Sequence, residues 1–173
     1  IERNDSMEFE IKQELNEKDY MAYVTHQLLS YFFRPINIAM YVVIIGYMVF
    51  MLITTTNPII FLMAGAIVLL NLVLVVYTRK RAKKFFRENQ DLIKMELVFK
   101  DEVLVYRNSD GNLEKNWYEF AKAKESDEYI YLAISKQSGL IIVKRQISSD
   151  ALAFLYSRLK EHIVPKNLKL QNK

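Results

Sequence analysis

A chain of 173 residues has room for one small globular domain and one further element, but not for two full domains. It contains no cysteine, which excludes disulfides, thiolate nucleophiles and cysteine metal sites. Its net charge is only +4, and His26 and His162 stand without the companions that a metal or catalytic site requires.

Residues 1–6 read as an expression remnant ahead of Met7, the expected native start. From Met7 to Glu14, Met7, Phe9 and Ile11 alternate with polar residues, which predicts a half-buried strand. Glu8, Glu10, Glu14, Glu17 and Asp19 make the first thirty residues acidic, unlike a signal peptide. Asn16 offers a helix N-cap with Asp19 three residues on, and Tyr20, Val24, Leu28 and Tyr31 recur at helical spacing. The aromatic end of this helix, Phe32-Phe33-Arg34-Pro35, is expected at a bilayer interface.

Residues 35–78 contain no Asp, Glu, Lys, Arg or His, and Thr54-Thr55-Thr56-Asn57-Pro58 divides them into apolar segments 36–53 and 59–77. Each is close to the ~20 residues a helix needs to cross a bilayer, and the short loop allows only an antiparallel hairpin. Arg79, Lys80, Arg81, Lys83, Lys84 and Arg87 follow at once, against only Glu88 and Asp91, and Arg34 precedes the first segment. The positive-inside rule therefore predicts two spans with both termini cytoplasmic. Counted outward from the loop, Tyr41 lies at the depth of Asn71, so a hydrogen bond between them is expected. The same count sets Tyr47 opposite Gly65, where small residues allow close helix packing. Homodimerisation through Asn71, or docking of a partner's membrane helix there, is the functional alternative to packing within one hairpin. The basic helix at 79–91 reads as a topology determinant and anchor, or as a site for anionic lipid headgroups. Nucleic acid is not expected, because no aromatic–basic platform follows.

From Leu92 the period changes to two. Strands are expected through Met95, Leu97 and Phe99, over 103–107 after a turn at Lys100-Asp101-Glu102, and through Asn116-Trp117-Tyr118-Glu119-Phe120. Asn108-Ser109-Asp110-Gly111-Asn112 reads as a hairpin turn. Residues 124–128 read as a charged turn, ahead of a second hairpin, 129–135 and 140–144, about Gln137-Ser138-Gly139. Ser148-Ser149-Asp150 caps a last helix with a stripe of Leu152, Leu155, Tyr156, Leu159 and Ile163, stopped by Pro165. The carboxylate pairs Asp101-Glu102 and Asp127-Glu128 read as solvated turns, and no catalytic constellation or cofactor motif is present.

These elements predict an α+β membrane protein. A transmembrane helical hairpin (35–78) follows an N-terminal strand and interfacial helix (7–34). It is inserted into a small antiparallel sheet (92–173) that a C-terminal helix closes, an element order like that of pleckstrin-homology domains. The chain resembles the YcxB-like family of bacterial membrane proteins. That resemblance rests on Leu15-Asn16-Glu17-Lys18-Asp19-Tyr20, the charge-free hairpin and basic run, Trp117 after its turn, and Ile141-Ile142-Val143-Lys144-Arg145. It implies the topology and fold, and placement in a bacterial plasma membrane.

The expected function is a non-enzymatic, membrane-anchored binding or adaptor module. Trp117, Lys144 and Arg145 are its expected contacts to lipid or to a protein or peptide partner. The alternatives are immunity against a membrane-active bacteriocin or toxin, and sensing of anionic lipid.

Overall fold

Alternation at the N-terminus produces the strand it predicts: β1 (Phe9–Glu14) turns Ile11 and Gln13 inward and leaves Glu10, Lys12 and Glu14 exposed. The computed structural model describes residues 8–54, 59–91, 93–135 and 138–171, with the backbone alone at 52, 60, 61 and 64. Residues 1–7, 55–58, where a loop was expected, Leu92, Lys136, Gln137 and residues 172–173 lie outside that description, as does the side chain of Ala64.

Three helices follow β1: α1 (Glu17–Phe32), α2 (Pro35–Thr54) and α3 (Ile59–Glu88). The chain then forms β2 (Lys94–Phe99), β3 (Val103–Asn108), β4 (Gly111–Asn116), β5 (Lys122–Glu125), β6 (Tyr129–Ala133) and β7 (Gly139–Val143). Helix α4 (Ser149–His162) and the two-residue β8 (Leu168–Lys169) complete it. Two compact units result: Met21–Arg87, and a β-rich unit assembled from both sides of that insertion.

In the β-rich unit, β1 pairs antiparallel with β2 from Phe9↔Phe99 to Glu14↔Lys94, so the first strand does join the later sheet. The expected single curved sheet is instead two four-stranded sheets, β1-β2-β3-β4 and β7-β6-β5-β8. The break falls at Trp117–Glu119, where a 3-10 turn replaces the expected strand. Its cause is local, since the Glu119 carboxylate accepts from Asn116 N–H at 2.9 Å and pairs with Lys115 at 2.9 Å, which curls the chain. The turn also draws Trp117 inward, where its indole N–H donates to the Lys100 carbonyl at 2.8 Å.

A second correction falls at residues 122–125, expected to fall partly in a turn. Here Ala123 and Glu125 point inward between exposed lysines, making a strand that also pairs in parallel with β8. The hairpin turn between β3 and β4 forms as expected, with Asn108 Oδ1 accepting from the N–H groups of Asp110 and Gly111, and Gly111 at φ 144°. In α4, Ser148 caps the N-terminus by accepting from Ala151 N–H, and Ala151, Phe154, Leu155 and Leu159 are buried. They share the core with Leu97, Phe99, Leu104, Trp117, Ile130, Leu132 and Ile142.

Two glutamines stitch the sheets along their open edges. Gln13 on β1 accepts from Val143 N–H (2.7 Å) and donates to the Ile141 carbonyl (3.0 Å), doing for β7 what a neighbouring strand would do. In return, Gln146 accepts from Glu14 N–H (3.0 Å) and donates to the Glu14 carbonyl (2.8 Å). Buried backbone groups left unpaired are costly, so the enclosed Gln13 amide closes the β7 edge, while Gln146, in the turn after β7, closes the β1 end at the surface.

In the helical unit, α2 presents Asn37, Tyr41, Ile44, Met48 and Met51 as a half-buried stripe, and α3 presents Ile67, Asn71, Val75 and Thr78. Their spacing is helical, so each is one face. Outside these stripes, the described side chains from Ile36 to Tyr77 are mostly apolar and exposed. Among the described residues no single helix is long and apolar enough to cross a membrane. The pair Glu17–Phe32 and Pro35–Met51, bent by 58°, meets that requirement by length and composition.

Candidate functional site

The charged groups of the β-rich unit converge on two buried carboxylates. Asp19, in the first turn of α1, has no exposed surface. Arg145 grips it in a bidentate pair (Nη1 to Oδ1 3.0 Å, Nη2 to Oδ2 2.5 Å), and the Tyr129 hydroxyl donates to Oδ1 at 2.9 Å. Asn16 and Asp19 complete a reciprocal cap, Asp19 N–H to Asn16 Oδ1 at 2.8 Å and Asn16 N–H to Asp19 Oδ2 at 3.0 Å. Burial alone pushes the Asp19 carboxyl up, but the hydrogen bonds from Arg145, the Asn16 amide and Tyr129 outweigh it and hold it below the ordinary range. Burial and the hydrogen bond to Asp19 push the Tyr129 phenol upward.

Glu125 on β5 is the second centre. Lys144 donates to its Oε1 at 2.5 Å, the Tyr156 hydroxyl to the same oxygen at 2.6 Å, and Gln171 N–H to Oε2 at 2.8 Å. Burial again raises this carboxyl, and its donors, Lys144 first, bring it below the usual value. One β5 residue therefore ties together the turn after β7, the helix α4 and the C-terminal segment.

This geometry corrects three sequence-based expectations. Lys144 and Arg145 are internal counter-ions rather than free contacts, although Arg145 keeps 46% of its side chain exposed. Trp117, at 0% exposure, cannot meet a lipid or a partner, because it packs edge-on against Phe99 within the core. Exposure falls instead to its neighbour Tyr118, at 68%. The third correction is in the helical unit, where Tyr47 is 63% exposed and a side chain at Gly65 would meet nothing within 4 Å. The Tyr41 hydroxyl does donate to Asn71 Oδ1, at 3.0 Å, while Asn71 Nδ2 donates to the Ile67 carbonyl at 2.8 Å.

The basic run lies within α3, which continues unbroken from the apolar segment to Glu88. Arg79, Lys80, Arg81, Lys83, Lys84 and Arg87 are exposed, whereas Ala82 and Phe86 between them are buried. Among the described residues no group of three or more His, Asp or Glu is placed to hold a metal ion.

Asp19, Gln13 and Glu125 were not legible as centres. Asp19 reads locally as a cap residue and Glu125 as part of a charged turn, and their partners lie 126 and 19 positions away. The class these features define is an α+β protein with N-terminal helices, two small β-sheets and a C-terminal helix. Over residues 99–159 the chain is similar to the family described as YcxB-like protein. No curated protein and no solved structure matches it.

Proposed function

We propose that this protein is a non-enzymatic binding module held at the cytoplasmic face of a bacterial plasma membrane by a two-span helical hairpin. One observation carries the membrane part. Between Ile36 and Tyr77, large apolar side chains such as Val43, Ile53, Leu62 and Leu70 stand exposed on α2 and α3, in a stretch without a single charge. Apolar surface of that extent implies membrane or partner contact. The cations beyond Thr78 and Arg34 before α2 support an orientation with both termini inside.

The β-rich unit supports a pleckstrin-homology-like reading by its order of four strands, a second small sheet and a closing helix. Its buried polar groups, Gln13, Asp19 and Glu125, are spent on structural partners, which favours a binding scaffold over a reaction centre. Tethering raises the effective concentration of any membrane-associated partner, so a modest intrinsic affinity suffices.

The absence of cysteine makes the test direct. Single-cysteine variants at Thr54, Lys122 and Glu161 are exposed to a membrane-impermeant maleimide on intact cells. Labelling of Thr54→Cys alone, with the others reacting only after permeabilisation, is expected; labelling of Lys122→Cys from outside would overturn the orientation. A photoreactive residue at Tyr118 then tests binding. A discrete protein adduct in native membranes is expected, and adducts to lipid alone would overturn the adaptor role.

A further inference from the structure

We infer that the protein's contact with anionic phospholipid is made by the first cationic turn of α3, Arg79-Lys80-Arg81, and not by its β-rich unit. The inference rests on the two-span reading and adds the class of lipid and the residues that meet it.

The first argument is the pairing of the β-rich unit's strongest candidates. Seven of its cations face carboxylates: Lys18 with Glu128, Lys100 with Glu8, Arg107 with Glu96, Lys115 with Glu119, Lys144 with Glu125, Arg145 with Asp19, and Arg158 with Asp101. Exposed lysines such as Lys122 and Lys124 remain on the unit, and they serve as the control below. Lys144 and Arg145, the pair a headgroup site on that unit would use, hold the two buried carboxylates of the fold. Releasing either to bind a phosphate would strand a buried charge, a costly exchange.

The second argument is depth. Arg79 is one residue past Thr78, the last uncharged residue of the segment, on a helix that rises about 1.5 Å per residue. Arg79, Lys80 and Arg81 therefore lie within about 5 Å of the hydrocarbon edge, inside a headgroup layer roughly 5–7 Å thick. Successive residues on a helix point about 100° apart, so the three side chains fan outward to different lipids rather than closing on one. All three are exposed. Two arginines supply planar forks suited to phosphate oxygens, and the lysine adds a point charge. Lys83, Lys84 and Arg87 extend the same positive field further from the bilayer. Phosphatidylglycerol-type headgroups fit this arrangement, since they carry a net negative phosphate and no compensating ammonium.

The full chain, reconstituted in mixed vesicles, is probed with spin-labelled phosphatidylglycerol and phosphatidylcholine. An immobilised lipid component with either probe reports a membrane-inserted protein, so its absence overturns the two-span reading itself. Selectivity is read separately, as the ratio of the two immobilised fractions. A preference for phosphatidylglycerol of about fivefold is expected at low salt, the size of one such cation's attraction, decreasing as salt rises. Arg79→Gln/Lys80→Gln/Arg81→Gln should lower the ratio at least about twofold, Lys83, Lys84 and Arg87 keeping a remnant, while leaving the immobilised component in place. Lys122→Gln/Lys124→Gln, which removes exposed cations of β5, should leave the ratio as in the unmodified chain. A ratio unchanged by the triple substitution, or abolished by the β5 pair, would overturn the assignment.

Discussion

At the scale of single residues, polar side chains do the work of missing backbone neighbours. Gln13 sits on an edge strand yet is fully enclosed, because its amide supplies one donor and one acceptor to β7. Gln13→Leu keeps the volume but leaves Val143 N–H and Ile141 C=O unpaired, so it should destabilise the β-rich unit by about 2–4 kcal/mol. Trp117, the sole tryptophan and fully buried, gives a fluorescence signal for that measurement in urea. Acid provides a second check at this scale. Asp19 and Glu125 have folded-state pKa values below their unfolded ones, so the unfolded chain takes up protons first as pH falls. Their stabilisation is fully present above the unfolded carboxylate range, about pH 4, and is lost as pH drops through the folded values. The Trp117 urea midpoint should therefore hold from neutrality to about pH 5 and fall below it, and less steeply in Asp19→Asn, which lacks one of the two groups.

At the scale of elements, periodicity located most strands and the helices α1 and α4, uncharged length located α2 and α3, and periodicity failed where a local cap or a small inward residue broke the pattern. Residues 116–120 look like an aromatic strand, but Glu119 reaching back to Asn116 converts them to a turn, and the sheet ends there. Lys122–Glu125 alternates correctly, yet its inward residues are Ala123 and Glu125, which carry no apolar signal. Gly139 shows the opposite case, a glycine required by space: a Cβ there would strike the Leu132 carbonyl across the β6–β7 hairpin. Gly139→Ala should cost about 1–3 kcal/mol, because rigid backbone rather than a mobile side chain must give way. Thermal unfolding followed through Trp117 measures it. In the helical unit, Tyr41→Phe removes the donor to Asn71 Oδ1; in the bilayer setting of the proposed function it should weaken α2–α3 association by about 0.6 kcal/mol, typical of one interhelical bond there. A double-mutant cycle with Asn71→Leu isolates that term.

At the scale of the whole molecule, the helical unit interrupts the β-rich unit after its first strand, so residues before Met21 and after Arg87 fold together. β1 covers the edge of β2 and, through Gln13, also the edge of β7. A chain of residues 88–173 alone should therefore lose the cooperative Trp117 transition, and a peptide of residues 8–20 supplied in trans should restore it. Cooperative unfolding of 88–173 without the peptide would show that β1 is dispensable.

The sequence by itself determined the charge-free pair of helices, the run of cations beyond them, the capped helices at both ends and the hairpin at Asn108–Gly111. Each of these is written in residues within a few positions of one another. Even the Tyr41–Asn71 bond was countable, because a helical hairpin maps sequence distance from its loop onto depth. Only the tertiary structure decided that Lys144 and Arg145 are consumed by Glu125 and Asp19, that Trp117 is core, and that two glutamines close two sheets. Charge on an exposed-looking turn says nothing of which carboxylate the fold will bring opposite. Here Arg145 and its carboxylate lie 126 positions apart, beyond the reach of any local period.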